Sequence, residues 1–261
     1  MPYINNGSVR INYEVHGNGH PVVLLHGFTA NFQFNFANFG WIEALNERGL
    51  QVIGIEFRGH GQSDKPNDSG SYGTDNLASD IMAVLDHLNM PCVSIIGYSL
   101  GTLVALNLMQ VAPDRFDKAA LVATGDGLIG IPPYTSERMF PALIEVLSRN
   151  EYPHDLPDHL AVYWDFVADT GGDREALLAL AQASYEPLSP QDASAIQIPT
   201  LVISGENDVV IGLGPQLAQA LGNGEYLECA GMSHFALAME TSVQVAVAQF
   251  LKPGTSNQQN A

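Results

Sequence analysis

Gly97-Tyr98-Ser99-Leu100-Gly101 joins a short apolar run, residues 93–96, to a segment of helical period, residues 100–111. A serine between two glycines at this spacing, after a strand and before a helix, is typical of a nucleophile elbow. Both glycine positions need small residues because the backbone turns too sharply there to leave room for a Cβ atom. The stretch therefore predicts a serine whose hydroxyl projects from the end of a strand.

The pattern on both sides of this stretch predicts an α/β fold. Short apolar runs indicate strands buried on both faces, and segments with helical period lie between them. Strands that alternate with helices imply right-handed crossovers, and hence a mostly parallel central sheet flanked by helices. A hairpin around Asn6-Gly7, residues 3–15, would add an antiparallel edge. The other strand candidates are residues 22–25, 52–55, 119–123, 201–204 and 226–227, and the helix candidates are residues 41–48, 77–88, 100–111 and 242–251.

The alternation of strands and helices stops between Gly125 and Pro199. This proline-punctuated region predicts helices at residues 136–149, 159–168 and 174–183. We expect residues 127–195 to form a small helical cap over a core made of residues 1–126 and 196–252. The polar residues 253–261 are expected to form a disordered tail.

The composition excludes several classes of protein. Apolar residues make up 46% of the 261 residues and charged residues 15%, which favours a compact globular chain over a disordered one. A net charge of -18, from 28 acidic and 10 basic residues, would repel nucleic acid and anionic membrane surfaces. An acidic surface poor in lysine fits either a saline source or an ordinary acidic protein.

The cysteines argue against a disulfide framework, and the N-terminal residues argue against a signal peptide. Cys92 and Cys229 are too few for a disulfide framework, and each lies in apolar surroundings. Residues 1–10 show no signal peptide, so a cytoplasmic location is expected. Residues 93–112 are apolar but contain Gly97, Gly101 and polar residues, which favours a strand, a turn and a helix over a membrane span.

A serine hydroxyl is a weak nucleophile until a base removes its proton, and that base needs an acid to orient it. His234 is the candidate base, since it lies in a loop between the last strand and the last helix. Asp208 directly follows the strand at residues 201–204 and is the candidate acid. Asp126 follows the strand at residues 119–123 and is the alternative acid.

An oxyanion formed when Ser99 attacks a carbonyl would need two preorganised backbone donors. The amide of Leu100 is one candidate, because it follows the nucleophile at the head of a helix. The amide of Phe28 is the other, because His26-Gly27-Phe28 follows the strand at residues 22–25. We expect His26 and His60 to support these loops rather than take part in the chemistry.

These motifs resemble the α/β-hydrolase superfamily, in the branch of capped serine esterases and lipases, over about residues 20 to 250. The matching motifs are His26-Gly27-Phe28, the run from Phe57 to Pro66, the elbow at Ser99, Gly205-Glu206-Asn207-Asp208 and Gly231-Met232-Ser233-His234-Phe235. The chain departs from the superfamily at Glu56, where many relatives have aspartate, and in the long loop at residues 29–40.

The resemblance implies a catalytic triad of Ser99, His234 and Asp208 that transfers an acyl group to water through an acyl-enzyme. It implies neither a metal nor an organic cofactor. Serine at the elbow argues against the epoxide hydrolase and haloalkane dehalogenase branches, which use a carboxylate nucleophile. The run His154-Asp155-Leu156-Pro157-Asp158-His159 is interpreted as a solvated loop rather than a metal site, because its proline and spacing do not suit one.

The resemblance favours a carboxylesterase-like enzyme for small-molecule esters of small to medium acyl chains. Five phenylalanines between residues 28 and 39 pack either in the core or along an acyl pocket. Met139 and Phe166 are further cap candidates for that pocket. The residues predicted to bind substrate are Phe28, Phe32, Tyr98, Phe140 and Trp164.

Other functions use the same residues. Hydrolysis of carbon-carbon bonds or of enol lactones would need the same three residue types, and so would perhydrolysis of the haloperoxidase kind. A slow-turnover ligand receptor is an alternative of a different class. The sequence leaves the physiological substrate and the oligomeric state open.

Overall fold

The computed structural model describes residues 2–133 and 135–254. Of the tail predicted at residues 253–261, residues 255–261 lie outside this description. The strands are β1 (Tyr3–Asn6), β2 (Val9–His16), β3 (His20–Leu25), β4 (Leu50–Ile55), β5 (Val93–Tyr98), β6 (Phe116–Val122), β7 (Thr200–Gly205) and β8 (Gly224–Cys229). The helices are α1 (Phe32–Asn35), α2 (Trp41–Asn46), α3 (Thr74–His87), α4 (Leu100–Val111), α5 (Ser136–Leu147), α6 (Asp158–Asp169), α7 (Arg174–Ala181), α8 (Pro190–Ala195), α9 (Pro215–Ala220) and α10 (Thr241–Leu251).

The described strands form one sheet in the order β1-β2-β4-β3-β5-β6-β7-β8. β1 pairs antiparallel with β2, and β2 pairs antiparallel with β4, while every other neighbouring pair is parallel. The predicted mostly parallel α/β fold with an antiparallel opening hairpin is therefore confirmed. Parallel strands place their carboxyl ends at one edge, which is where loops from different parts of the chain can meet.

The two faces of the sheet are covered by different helices. Val23 and Leu25 of β3 belong to an apolar cluster with residues of α3 and α4, whereas Val22 and Leu24 belong to a second cluster with residues of α2 and α10. This split follows from the strand geometry, because successive side chains point to opposite faces. Apolar residues on both faces explain why these runs lack the alternation of a half-exposed strand.

The region predicted as a cap contains α5, α6, α7 and α8, and none of its described residues lies in a strand. The three predicted helices correspond to α5, α6 and α7. Aromatic residues of α6 extend over the sheet edge, where Tyr163 contacts Phe28 at a ring-centroid distance of 6.3 Å and Phe235 at 5.7 Å. α6 therefore packs directly on the loops that follow β3 and β8.

A buried ion pair joins the loop after β4 to α3. Arg58 donates from Nε and Nη2 to the two carboxylate oxygens of Asp80, at 2.6 and 2.7 Å, and from Nη1 to the carbonyl of Ser71 at 2.6 Å. Asn6 of β1 adds a third hydrogen bond to the Asp80 carboxylate. The pair satisfies both buried charges and holds the Arg58-Gly59-His60 turn beside the β3 loop.

No helix among the described residues is both long and apolar enough to cross a membrane.

Candidate active site

Ser99 lies in the sharp turn between β5 and α4, with φ 52° and ψ -111°. This conformation is strained for a residue with a Cβ atom, and the hydrogen bond from the Ser99 N–H to the carbonyl of Val122, at 3.0 Å, helps to hold it. A Cβ atom on Gly97 would lie 2.5 Å from the carbonyl oxygen of Gly101, and one on Gly101 would lie 2.1 Å from the carbonyl oxygen of Leu25. Close backbone approach therefore requires glycine at both positions.

His234 brings the loop after β8 to Ser99. Its Nε2 atom lies 3.0 Å from the Oγ atom of Ser99, and its Nδ1 atom lies 2.7 Å from Oδ2 of Asp208. Asp208 follows β7, so the three side chains come from three loops at the carboxyl edge of the sheet. Tyr98 steadies the histidine loop, because its hydroxyl donates to the carbonyl of His234.

The carboxylate of Asp208 is held by its own turn. Its Oδ1 atom accepts hydrogen bonds from the N–H groups of Val210 and Ile211, at 2.9 and 3.0 Å. This leaves Oδ2 directed at Nδ1 of His234, and a carboxylate can only accept, so Nδ1 carries the proton. Nε2 is then the unprotonated nitrogen, which faces the Ser99 hydroxyl in the orientation that proton transfer needs.

The structure separates the two candidate acids. Asp126 accepts hydrogen bonds from the Leu217 N–H at 2.7 Å and from the Gln216 side chain at 3.2 Å, whereas the Nδ1 atom of His234 is paired with Asp208. It caps the first turn of α9, a helix that the sequence analysis did not predict. Asp208 is the acid that the fold brings to His234.

Phe28 and Leu100, the predicted oxyanion donors, lie beside the elbow. Phe28 lines the same pocket as Ser99, and Leu100 is the first residue of α4, where a backbone N–H has no partner inside its own helix. The loop that carries Phe28 is held by the Gly27 N–H, which donates to Oδ1 of Asn35 at 2.7 Å. The role of the two amides remains a prediction.

His26 and His60 lie behind this loop as buried side chains. Nε2 of His26 accepts from the Phe57 N–H at 3.1 Å, so its Nδ1 donates to the carbonyl of Gly27 at 2.8 Å. Burial lowers the pKa of His26 to about 4, and burial next to His26 lowers the pKa of His60 well below its ordinary value. Both rings are therefore neutral near pH 7. His26 supports the loop from behind through its two hydrogen bonds.

A small pocket lies at the Ser99 hydroxyl. The apolar walls come from the β3 loop, from α6 and from the loop after β8, and they leave a cavity of about 20 Å³. A space of this size holds about one water molecule. The apolar lining consists of Phe28, Ala30, Phe34, Tyr163, Phe166 and Phe235.

The residues predicted to bind substrate do not all meet this pocket. Phe28 and Tyr98 line it, but Phe32 is buried under the sheet against Gly54, where a Cβ atom would come within 2.3 Å of its ring. Phe140 stacks on Tyr185 at a centroid distance of 4.3 Å, and Trp164 lies under the guanidinium of Arg174 at 3.8 Å. None of these last three side chains lines the pocket at Ser99.

Sequence reasoning missed part of the pocket wall. Tyr163, Asn35 and Phe235 line it, and none of them was a candidate. Phe235 directly follows His234, so its position next to the base was a usable signal. For Tyr163 the helical period of α6 showed only that one face is apolar, not which neighbour that face meets.

Elsewhere the described residues offer no comparable chemistry. They contain no group of three or more His, Cys, Asp or Glu side chains that could hold a metal ion. A larger cavity, about 660 Å³, lies between α3, α4 and the segment that leads into α8, but it contains none of the three residues around Ser99. The hydroxyl, imidazole and carboxylate at the elbow remain the arrangement that can activate a nucleophile.

The chain is similar to known proteins of one fold family. The family described as alpha/beta hydrolase fold matches residues 20–158, and one described as TAP-like protein matches residues 180–261. The chain is 25% identical to the AB hydrolase superfamily protein YisY of Bacillus subtilis, over 90% of this chain and 92% of that protein. It is 28% identical to 3-oxoadipate enol-lactonase 2 of Acinetobacter baylyi, over 77% of each chain.

A solved structure of Est816, described as an N-acyl homoserine lactone degrading enzyme, is 26% identical. It superimposes with a TM-score of 0.70 over 95% of this chain and 99% of that one. The first family match spans more than half of the chain and includes the elbow, and the eight-stranded sheet has the same fold as the solved relatives. The chain belongs to the alpha/beta hydrolase fold family.

Proposed function

We propose that the protein is a serine hydrolase that cleaves carboxylic esters of small to medium acyl chains through an acyl-enzyme on Ser99. The observation that carries the proposal is the continuous chain from Ser99 Oγ to His234 Nε2, at 3.0 Å, and from His234 Nδ1 to Asp208 Oδ2, at 2.7 Å. These two contacts join a nucleophile, a base and an orienting acid in one buried site.

Each residue has a defined part in the proposed reaction. Ser99 Oγ attacks the ester carbonyl carbon while His234 Nε2 takes its proton, and the amides of Phe28 and Leu100 stabilise the charge on the carbonyl oxygen. His234 then gives the proton to the departing alkoxide, which leaves the acyl group on Ser99. Water, deprotonated by the same imidazole, releases the acid. Asp208 holds the imidazole tautomer and stabilises its charged form.

The walls of the pocket support an apolar acyl group of limited size. The phenylalanine and tyrosine rings around Ser99 leave room for about one water molecule, so charge interactions inside the site are stronger than in bulk water. A cavity of about 20 Å³ is far below the several hundred Å³ that usually hold a bound ligand. Short acyl chains need the smallest displacement of these rings, so we expect them to be the best substrates.

Lactones are the second candidate substrates. A lactone is an ester whose acyl and alkoxy parts are joined, so the same residues would open it without another group. The observation that favours this reading is the relationship to a protein named 3-oxoadipate enol-lactonase 2 and to a structure described as a lactone-degrading enzyme.

The proposal is tested with p-nitrophenyl esters from acetate to palmitate, with γ-butyrolactone and an N-acyl homoserine lactone in parallel. The wild type is expected to show a burst of p-nitrophenol equal to the enzyme concentration, a preference for short chains, and acylation of Ser99 in the intact-mass spectrum. Ser99→Ala removes both the burst and the turnover. Equal activity of the two proteins would overturn the proposed nucleophile. Turnover of lactones without turnover of linear esters would move the assignment to the second candidate.

A further inference from the structure

Asn35 is a buried amide at the end of α1, close to the reacting hydroxyl. Asn35 is only 6% exposed, and it lines the pocket that contains Ser99. A Cβ atom placed on Gly27 would lie 3.3 Å from the Asn35 Oδ1 atom and 3.4 Å from the Ser99 Cβ atom. The space that Gly27 leaves by having no side chain therefore lies between the Asn35 amide and the elbow.

The hydrogen bond from Gly27 determines which way the amide faces. The Gly27 N–H can only donate, so the atom 2.7 Å away must be the carbonyl oxygen of Asn35. The other end of the amide is the Nδ2 group, with two N–H donors. Among the described residues, no atom accepts a hydrogen bond from Nδ2, and Nδ2 is not one of the fully buried unpaired side-chain atoms, so it is open to the pocket that Asn35 lines.

An unpaired donor in an apolar pocket costs free energy, and a bound ligand with an acceptor can remove that cost. The rings of Phe28, Phe34 and Phe166 offer no strong acceptor, and the hydroxyl groups that share the pocket belong to Tyr98, Ser99 and Tyr163. In the free protein, the water molecule that fits this cavity can accept from Nδ2, and a substrate that displaces it must supply an acceptor in its place. Because Asn35 lies one residue width from Ser99, the acceptor must be within a few bonds of the carbonyl carbon that Ser99 attacks.

We propose that Asn35 is a specificity-determining residue that donates from Nδ2 to a second oxygen in the acyl part of the substrate. The favoured substrates are acyl groups with an ether, hydroxyl or oxo oxygen near the ester carbonyl, over alkyl chains of the same size. This inference rests on the proposed ester hydrolysis. It also gives Asn35 a second task, because its Oδ1 atom positions the loop that carries the Phe28 amide.

The test compares two esters of equal size, p-nitrophenyl methoxyacetate and p-nitrophenyl butyrate, which differ by an ether oxygen in place of a methylene. Each kcat/KM is divided by the rate constant for hydrolysis of the same ester by hydroxide, which removes the intrinsic difference in reactivity. The wild type is expected to favour methoxyacetate by roughly 3- to 10-fold on this scale, as for one neutral hydrogen bond. A wild-type ratio of one would overturn the inference without any variant.

Two variants at position 35 separate the two tasks. Asn35→Asp keeps an oxygen that can accept from the Gly27 N–H but removes the Nδ2 donors, and Asn35→Ala removes both. The normalised ratio is expected to fall to about one in both variants, and Asn35→Ala lowers kcat for both esters as well, because the Phe28 loop loses its support. A uniform loss with an unchanged ratio would assign Asn35 to loop support or to the oxyanion alone, and would overturn the specificity role.

Asn31→Ala is the matched control. Asn31 caps α1 by accepting from the Phe34 N–H at 2.8 Å, and it does not line the pocket. The Asn31→Ala substitution loosens the same helix without removing a donor from the site. The ratio of the normalised kcat/KM values for the two esters is therefore expected to keep its wild-type value. If the wild type hydrolyses neither ester, or if Ser99→Ala hydrolyses both, the proposed function fails. If only the ratio is insensitive to position 35, the inference about Asn35 fails alone.

Discussion

The carboxylate of Asp126 caps the helix that begins at Pro215, where its Oδ1 atom accepts the Leu217 N–H at 2.7 Å. An aspartate after β6 and one after β7 both reach the carboxyl edge of the sheet, so chain order alone leaves two acids for one histidine. The hydrogen bond to the first turn of α9 engages the Asp126 carboxylate. The short turn at Asp208, with two N–H donors on one carboxylate oxygen, directs the other oxygen at His234.

Asp208→Asn is expected to lower kcat by about three to four orders of magnitude, because the amide permits the wrong imidazole tautomer and does not stabilise the charged ring. Asp126→Asn is the control, and it is expected to change kcat by less than about threefold. The measurement is steady-state turnover of p-nitrophenyl acetate by both variants at pH 7.5. Equal losses in the two variants would contradict the assignment of Asp208 as the acid.

Phe166 closes the pocket at Ser99 from the cap. Its ring lies 5.3 Å from that of Phe34 and 4.9 Å from that of Phe235, measured between centroids. Phe166→Ala opens this wall, so the kcat/KM for the octanoate ester relative to acetate is expected to rise by at least about tenfold, as expected when a pocket admits added methylenes.

Val167→Ala is the control for Phe166→Ala. Val167 is a buried neighbour on the same helix that packs in the core and does not line the pocket. The Val167→Ala substitution also removes apolar volume from α6. The preference of this variant for acyl chain length is expected to match that of the wild type. A longer preferred chain in both variants would show that loosening of the cap, rather than the Phe166 ring itself, controls the acyl group.

Among the ion pairs of the described residues, the one between Arg58 and Asp80 is expected to cost the most stability when it is broken. The two side chains are 7% and 0% exposed, so Asp80→Asn leaves a buried guanidinium without its counter-charge. The free energy of unfolding is expected to fall by about 3–5 kcal/mol, measured by urea denaturation.

Glu145→Gln provides the comparison for that measurement. Glu145 pairs with Arg149 at 2.8 Å on the exposed face of α5, where water screens both charges. No measurable change in stability is expected from this substitution. Similar losses in the two variants would mean that burial does not set the strength of the Arg58 pair.

Stability is expected to fall in mildly acidic solution because His26 and His60 are buried in their neutral forms. The pKa of His26 drops from 6.5 to about 4 on folding, chiefly through burial. The unfolded chain therefore binds protons first, so this contribution is complete above pH 6.5 and is lost as the pH falls toward 4. A shift of that size corresponds to about 3 kcal/mol for His26.

Urea denaturation at pH 7, 6 and 5 tests the effect of the two histidines, with His60→Leu as the variant. Burial and the neighbouring His26 lower the pKa of His60, and Leu at this position cannot be protonated. The variant is expected to lose less free energy of unfolding than the wild type between pH 7 and 5, whatever its stability at pH 7. Parallel curves for the two proteins would exclude His60 from the acid sensitivity.

Local steric rules made the elbow and the sheet predictable. Gly97 and Gly101 have backbone within 2.5 Å of where their Cβ atoms would be, and this requirement can be seen in the five-residue pattern alone. The apolar runs of β3, β5 and β7 have a length and composition that only a two-sided parallel strand explains. The order of Ser99, Asp208 and His234 along the chain then follows from the order of the strand ends.

The aromatic segment after β3 could not be assigned in this way. Phe32 and Phe34 differ by two positions, yet Phe32 packs under the sheet in the space left by Gly54, while Phe34 faces Phe166 above Ser99. α1 has only four residues, too few for a helical period to show which side meets the core. Its orientation depends on the hydrogen bond between Gly27 and Asn35, which joins residues eight apart.

The sequence by itself therefore determined the α/β sheet, the elbow and the residue types of the site, because each depends on neighbours along the chain. The tertiary structure alone decided which aspartate meets His234, which phenylalanines close the pocket, and that Asn35 lines the pocket at Ser99. These outcomes depend on how loops from β3, β7 and β8 and the helix α6 pack together, and packing between distant segments leaves no periodic trace in the sequence.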